Sequence, residues 1–244
     1  MSTLQRVNPP SVSAYSETGP KLPRLIFTGA VLACCMLVPF IVYNQLYTVI
    51  DPKSRVWMIY HPFLMTMGVI GLPLAAVLQQ RLFGYRSNKI HMHAMLISAS
   101  LVVMGAYVII THKIDRKESH FSTAHSIVAL VWLSMFLPQG ALGLIGLDPD
   151  NRMGWFSPTR GAANVKRFIY LRRYHTLAGR LILCLGYVVA LLGWLKFFAT
   201  DWVRVTAMSV FLGTLCAITL YDPIQDLLVY SKARRPGLSV GRGA

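Results

Sequence analysis

Apolar residues gather along the chain in six uninterrupted runs, near 25–48, 57–79, 90–111, 122–146, 174–197 and 203–221, with polar or basic stretches between them. A helix that crosses the hydrocarbon core of a bilayer needs about 20 mainly apolar residues, which is what these runs supply. The pattern predicts an all-α, polytopic membrane protein with six transmembrane helices in one compact domain over 25–222. The first 24 residues, rich in Pro, Ser and Thr, lack apolar periodicity and read as a disordered tail, and 223–244 reads as a flexible basic tail. The N-terminal stretch has no apolar core of the kind a cleaved signal carries. Glu17 and its few basic residues also set it apart from a transit peptide.

Composition agrees with the pattern: of 244 residues, 55% are hydrophobic and only 14% charged, and the mean hydropathy is +0.50. The net charge of +15 raises the question of nucleic acid. The basic residues sit at the ends of apolar runs, with no basic recognition helix, so the lipid bilayer is the expected partner and nucleic acid is not. The larger share of the 24 Lys and Arg residues falls on the side shared by both tails and by the loops near 80–90 and 147–173. Positive charge therefore predicts that both termini are cytosolic. The four cysteines all lie within apolar runs without CxxC spacing, so neither a disulfide framework nor a zinc site is indicated.

The chemistry lies in the histidines. His61, His91, His125 and His175 are each expected in the opening turn of a different helix, the second to fifth in order. Consecutive helices run in opposite directions, so His61 can meet His125 at the non-cytosolic face and His91 can meet His175 at the cytosolic face. Facing imidazoles between bundle helices are what bis-histidine haem ligation requires, with room for a flat macrocycle. Gly179, Gly186 and Gly193 on the stripe of His175, and Met95, Ser98, Val102 and Gly105 after His91, would provide that room. Helix packing is the plainer reading of the same small residues. Pro62 suits a first helical turn, while Pro73 lies mid-helix, cannot donate to the Val69 carbonyl and should bend the second helix.

These residues resemble the cytochrome b561 family of di-haem transmembrane electron carriers. "IYHPFLM" is similar to the family's entry to the second helix, "NKIHMHAML" to that of the third, "HFSTAHSIVAL" to that of the fourth and "RRYHTLAG" to that of the fifth. The resemblance covers about 57–197 and favours His91 over His93, which points about 200° around the helix from it. It implies a four-helix haem-binding core in helices two to five, two haem b groups, and the ligand pairs His61 with His125 and His91 with His175. Tyr85 stands where the family's ascorbate users carry a basic residue, although Arg86 is adjacent. No basic residue stands at the expected point before His175, and the loop between the fourth and fifth helices is long.

The implied activity is that of a transmembrane oxidoreductase passing electrons from a cytosolic donor, expected to be ascorbate, to ferric ion or monodehydroascorbate on the other side. Lys89 and Arg180 would neutralise haem propionates, and Lys89, which matches one of the family's basic positions that hold the reductant, would with Arg86, Arg172 and Arg173 help to attract an anionic donor. His112 and His120 would bind ferric ion or relay protons near the second haem. Trp57, Trp155, Trp194 and Trp202 read as interface anchors. An endomembrane or the plasma membrane fits the family better than the mitochondrial inner membrane, and association as a homodimer or in a larger complex stays open. The rival reading is an accessory membrane subunit that keeps the fold without a diffusible substrate. A histidine-relay transporter would call for membrane-embedded carboxylates, and only Asp222 and Asp226 lie near a helix end.

Overall fold

The computed structural model describes residues 37–47, 55–83, 88–147 and 162–233, with isolated positions 29, 33 and 50. Side chains are described over 58–80, 89–145 and 170–221 of the longer segments. The chain order is α1 (37–47), α2 (Arg55–Thr66), a π-helical turn (Met67–Gly71), α3 (Leu72–Phe83), α4 (Asn88–Asp115), α5 (Ala124–Gly146), α6 (Ala162–Phe198) and α7 (Trp202–Ala233). Among the described residues five stretches are long and apolar enough to span a membrane: Met58–Gln80, Lys89–Asp115, Ala124–Ile145, Tyr170–Phe198 and Trp202–Tyr221. The first half or so of the first predicted span lies outside the described residues apart from isolated positions, as do the N-terminal tail and Arg86; the continuous part that is described, α1, is helical.

Local chemistry explains the boundaries. Thr123 caps α5: its hydroxyl accepts from the Ser126 amide, and the Ser126 hydroxyl in turn accepts from the Thr123 amide. Asp201 caps α7 by accepting from the Arg204 amide at 3.1 Å. The irregularity expected at Pro73 falls just before it, as a π turn in which the Leu72 amide reaches back to the Met67 carbonyl. Widening that turn takes up the lack of a donor at Pro73 within a continuous span.

Helix α4 ends in a Schellman arrangement, with the Glu118 amide bonded to the Lys113 carbonyl at 2.9 Å and the Lys117 amide to that of Ile114 at 3.0 Å. Lys117 holds the left-handed position at φ 53 that glycine usually fills. Lys117→Gly is therefore expected to stabilise the fold by about 1 kcal/mol. A rise in the melting temperature of the detergent-solubilised protein checks this, and a fall counts against it.

The core runs along the inner seam of the bundle, from Val69, Ile70 and Leu74 through Val102 and Trp132 to Ile182, Tyr187 and Leu212. Close approach of α4 to the π turn is set by Gly68, where an added Cβ would stand 2.8 Å from Val102 Cγ2. Ser98, fully buried, donates there to the Gly68 carbonyl. A second cluster ties α1 to the His61 end of the bundle through Val42, Leu46, Ile59 and Phe198. Trp194, near the end of its span, is partly buried against this cluster, whereas Trp202 is 75% exposed. Outward faces carry exposed Leu96, Val103, Val131 and Val210, as a lipid-facing surface should.

Candidate functional site

Two of the four histidines keep their expected places: His91 in the first turn of α4 and His125 in the first turn of α5. His61 lies in the second turn of α2. His175 lies well inside α6, because that helix begins at Ala162 and takes in the end of what reads as a long loop. With 37 residues, α6 is longer than a bilayer core requires, and its N-terminal part runs past the span that starts at Tyr170.

At one end of the bundle the His61 and His125 rings face each other, with centroids 6.4 Å apart and planes at 86°. His61 Nδ1 donates to the Gly105 carbonyl at 2.8 Å and His125 Nδ1 to the Val189 carbonyl at 3.0 Å. Each bond places the proton on Nδ1 and leaves the Nε2 lone pair for a metal, the arrangement typical of ligating histidines. Two metal–nitrogen bonds of about 2 Å, plus roughly 1 Å from each nitrogen to its ring centre, put axial imidazole centres roughly 6 Å apart. The observed separation of the ring centres is close to that value.

At the other end His91 and His175 line one cavity of about 280 Å³, together with Met95, Gln139, Arg172 and Arg180. Gln139 Nε2 lies 2.9 Å from His175 Nδ1 and donates to the His175 carbonyl at 2.6 Å. His91 Nδ1 is buried beside the Ala76 backbone, and among the described residues nothing meets it in good hydrogen-bond geometry. Among the described residues no group of three or more His, Cys, Asp or Glu side chains could hold a bare metal ion. A haem iron needs only an axial pair, since the macrocycle supplies its other ligands.

Helices α5 and α6 pack in an antiparallel register that sets both levels. His125, Trp132 and Gln139 recur at seven-residue steps on one face of α5, and each stands against a glycine of α6. A Cβ on Gly193 would lie 3.0 Å from His125 Cε1, one on Gly186 2.9 Å from Trp132 Nε1, and one on Gly179 3.1 Å from Gln139 Nε2. One turn further the roles reverse, and a Cβ on Gly143 of α5 would lie 2.7 Å from Cε1 of His175. These glycines thus make room for side chains of the site and of the core. Ser98 and Val102 likewise face Gly68, and Gly105 faces Met65.

Trp132 and Gln139 are absent from the sequence reading. Trp132 is 1% exposed, donates to the Ile182 carbonyl at 2.9 Å and stacks on Phe136 at 4.8 Å, filling the bundle between the two levels. The signal that could have found both is the shared seven-residue step of His125, Trp132 and Gln139 against the glycine series.

The remaining candidates separate. Arg172 and Arg180 line the cavity, and Arg180 also donates to the Thr219 carbonyl at 3.3 Å. Lys89 and Arg173 are exposed and are not among its lining residues. His93 is exposed and bonds to the Lys89 carbonyl of its own helix at 2.6 Å. His112 is buried near the end of α4, while His120 lies exposed in the following loop beside Phe121.

Fold and site together define an all-helical, multi-span membrane protein with paired histidines at two depths. The family model for eukaryotic cytochrome b561 matches residues 60–201, more than half of the chain and the whole stretch from His61 to His175. The chain belongs to that family, whose members bind haem b and carry electrons across membranes. Comparison with curated proteins gives no match.

Proposed function

We propose that this chain moves electrons across its membrane through two b-type haems, one held by His61 and His125 and the other by His91 and His175. The observation that carries the reading is the 6.4 Å separation of the His61 and His125 rings, each tied through Nδ1 to a backbone carbonyl. The shared cavity of His91 and His175 supports the second pair. When bound, each haem supplies a one-electron iron couple whose potential depends on axial ligation and burial.

The protein's own part is to hold the imidazoles, exclude water and place charge. Trp132, Phe136 and Tyr187 keep the space between the levels packed and dry. Arg172 and Arg180 offer cations at the cavity for propionates or an anionic donor. Lys89 and Arg173, exposed at the same end, add to the positive field that such a donor meets on approach. The positive-inside rule places that end, with both termini, in the cytosol. Ascorbate is the donor that fits there, and ferric ion or monodehydroascorbate the acceptor at the His61 end. The activity is then that of an ascorbate-dependent transmembrane oxidoreductase or ferric reductase.

A dithionite-reduced minus oxidised visible spectrum of the purified chain is expected to show two low-spin b-type haems per polypeptide. Stopped-flow mixing with ascorbate should reduce them. A folded but colourless protein would end the proposal, and coloured protein inert to ascorbate would reassign the donor.

A further inference from the structure

Two thiols meet at a place the functional reading does not use. Cys184 of α6 and Cys216 of α7 lie within the spans Tyr170–Phe198 and Trp202–Tyr221, and both are free and partly buried. Their side chains are hydrogen-bonded to each other across the two helices. The register of α6 against α7 accounts for this contact, and two further bonds fix that register. Arg180 donates to the Thr219 carbonyl at 3.3 Å, and the hydroxyls of Tyr187 and Thr219 lie 3.4 Å apart. Arg180, Cys184 and Tyr187 follow one another at helical spacing on one face of α6, and Cys216 stands one turn before Thr219 on α7. The helices therefore hold the two sulfurs together.

The surroundings narrow what the pair can do. Among the described residues no third His, Cys, Asp or Glu joins the two thiols to complete a metal site. Thiols and a disulfide are both uncharged, so joining the sulfurs leaves no charge in the apolar span, as a pair of thiolates would. Cys216 packs against the core cluster, and neither cysteine lines the cavity of His91 and His175. Such exposure as the thiols keep is at the depth of the hydrocarbon layer. Reagents dissolved in lipid reach them there, and the water-soluble reductants that keep cytosolic thiols reduced do not.

We propose that Cys184 and Cys216 form one oxidisable dithiol site, which closes to a disulfide across α6 and α7 when a lipid hydroperoxide reaches it. One sulfur attacks the terminal peroxide oxygen and the O–O bond breaks, giving a sulfenic acid and a lipid alcohol that takes up the thiol proton. The second sulfur then attacks the first: the S–S bond forms, the S–O bond breaks, and the hydroxyl leaves as water with the second thiol's proton. Two thiols give up two electrons and one hydroperoxide accepts them. Thiols among apolar groups are slow nucleophiles, so closure is expected over roughly minutes to hours rather than seconds. The bond ties the last span to the helix that carries His175.

The test treats the full-length protein in phosphatidylcholine vesicles with linoleic acid hydroperoxide, alkylates the remaining thiols and maps the peptides by mass spectrometry. A link between the Cys184 and Cys216 peptides, reversed by dithiothreitol, is expected. In Cys184→Ser and in Cys216→Ser the remaining thiol has no partner, so its oxidation is expected to stop at a sulfenic acid that dimedone traps. Haem content is not read, so the outcome stands apart from the functional reading above. The proposal is overturned if both cysteines of the treated wild type stay alkylatable, if they are oxidised singly without the link, or if either links to another cysteine instead.

Discussion

Replacing His175 with Ala is expected to halve the haem-to-protein ratio, leaving one low-spin haem per chain. The two histidine pairs sit at opposite ends of their spans: His61 and His125 at the end where α1 packs, His91 and His175 beside the cavity at the other. Neither pair shares a ring or a hydrogen-bond partner with the other. On the proposed ligation, removing His175 takes one of the two imidazoles from its level and leaves His91 alone on the cavity. A b-type haem has no covalent tether, so a single imidazole is expected to lose it through purification. His61→Ala should remove the other haem by the same reasoning, and the double variant should be colourless. His93→Ala removes only an exposed ring bonded to its own helix, and should keep both haems. Haem extracted and quantified against protein mass decides the matter. Loss of both haems from a folded His175→Ala chain would contradict separate pairs.

Much of this was legible in the sequence because a bilayer leaves few choices. Backbone groups within hydrocarbon must bond internally, so an apolar run of sufficient length is a helix, and alternating direction assigns each histidine to a face. That argument pairs His61 with His125 and His91 with His175 without any contact being known. It does not reach depth along a helix. His175 reads as the start of its helix, since the hydrophobic run begins there, but helical hydrogen bonding continues through the more polar residues from Ala162, where water is the solvent and hydropathy gives no signal.

The glycines show a different limit. Gly179, Gly186 and Gly193 stand out on one stripe, and the sequence suggests either room for a cofactor or close helix packing. What they face depends on the register between α5 and α6, which no single helix contains. Once that register is known, the bulky members of α5 match them in turn: Gln139, Trp132 and His125. Gln139 and Trp132 went unread for the same reason, each being unremarkable alone. The basic residues divide likewise: Arg172 and Arg180 reach the cavity by their position on α6, whereas Lys89, closer in sequence to His91, is exposed and does not line it.

The glycine opposite His175 yields the sharpest structural expectation after the proposed ligands themselves. A Cβ on Gly143 would stand 2.7 Å from Cε1 and 3.3 Å from Nε2 of the ring, within van der Waals contact and on the nitrogen that would bind iron. The ring cannot retreat freely, because Gln139 occupies its Nδ1 side and Gly179 backs the amide. Gly143→Ala should therefore turn His175 out of line and remove one haem, even though alanine is the better helix former by roughly 0.5–1 kcal/mol. Gly193→Ala meets His125 less severely, at 3.0 Å, and should weaken retention of the other haem rather than abolish it. Gly186→Ala would press on Val69 and Trp132, away from both pairs, costing about 1–3 kcal/mol of stability with both haems kept. At Gly213 an added methyl meets nothing within 4 Å, so Gly213→Ala should leave the spectrum alone. Ranked haem content of Gly143, Gly193, Gly186 and Gly213 variants, measured beside their melting temperatures, separates steric control of the ligands from general packing. Equal haem loss in the Gly143 and Gly186 variants would show that the close approach of α5 and α6 matters only as packing.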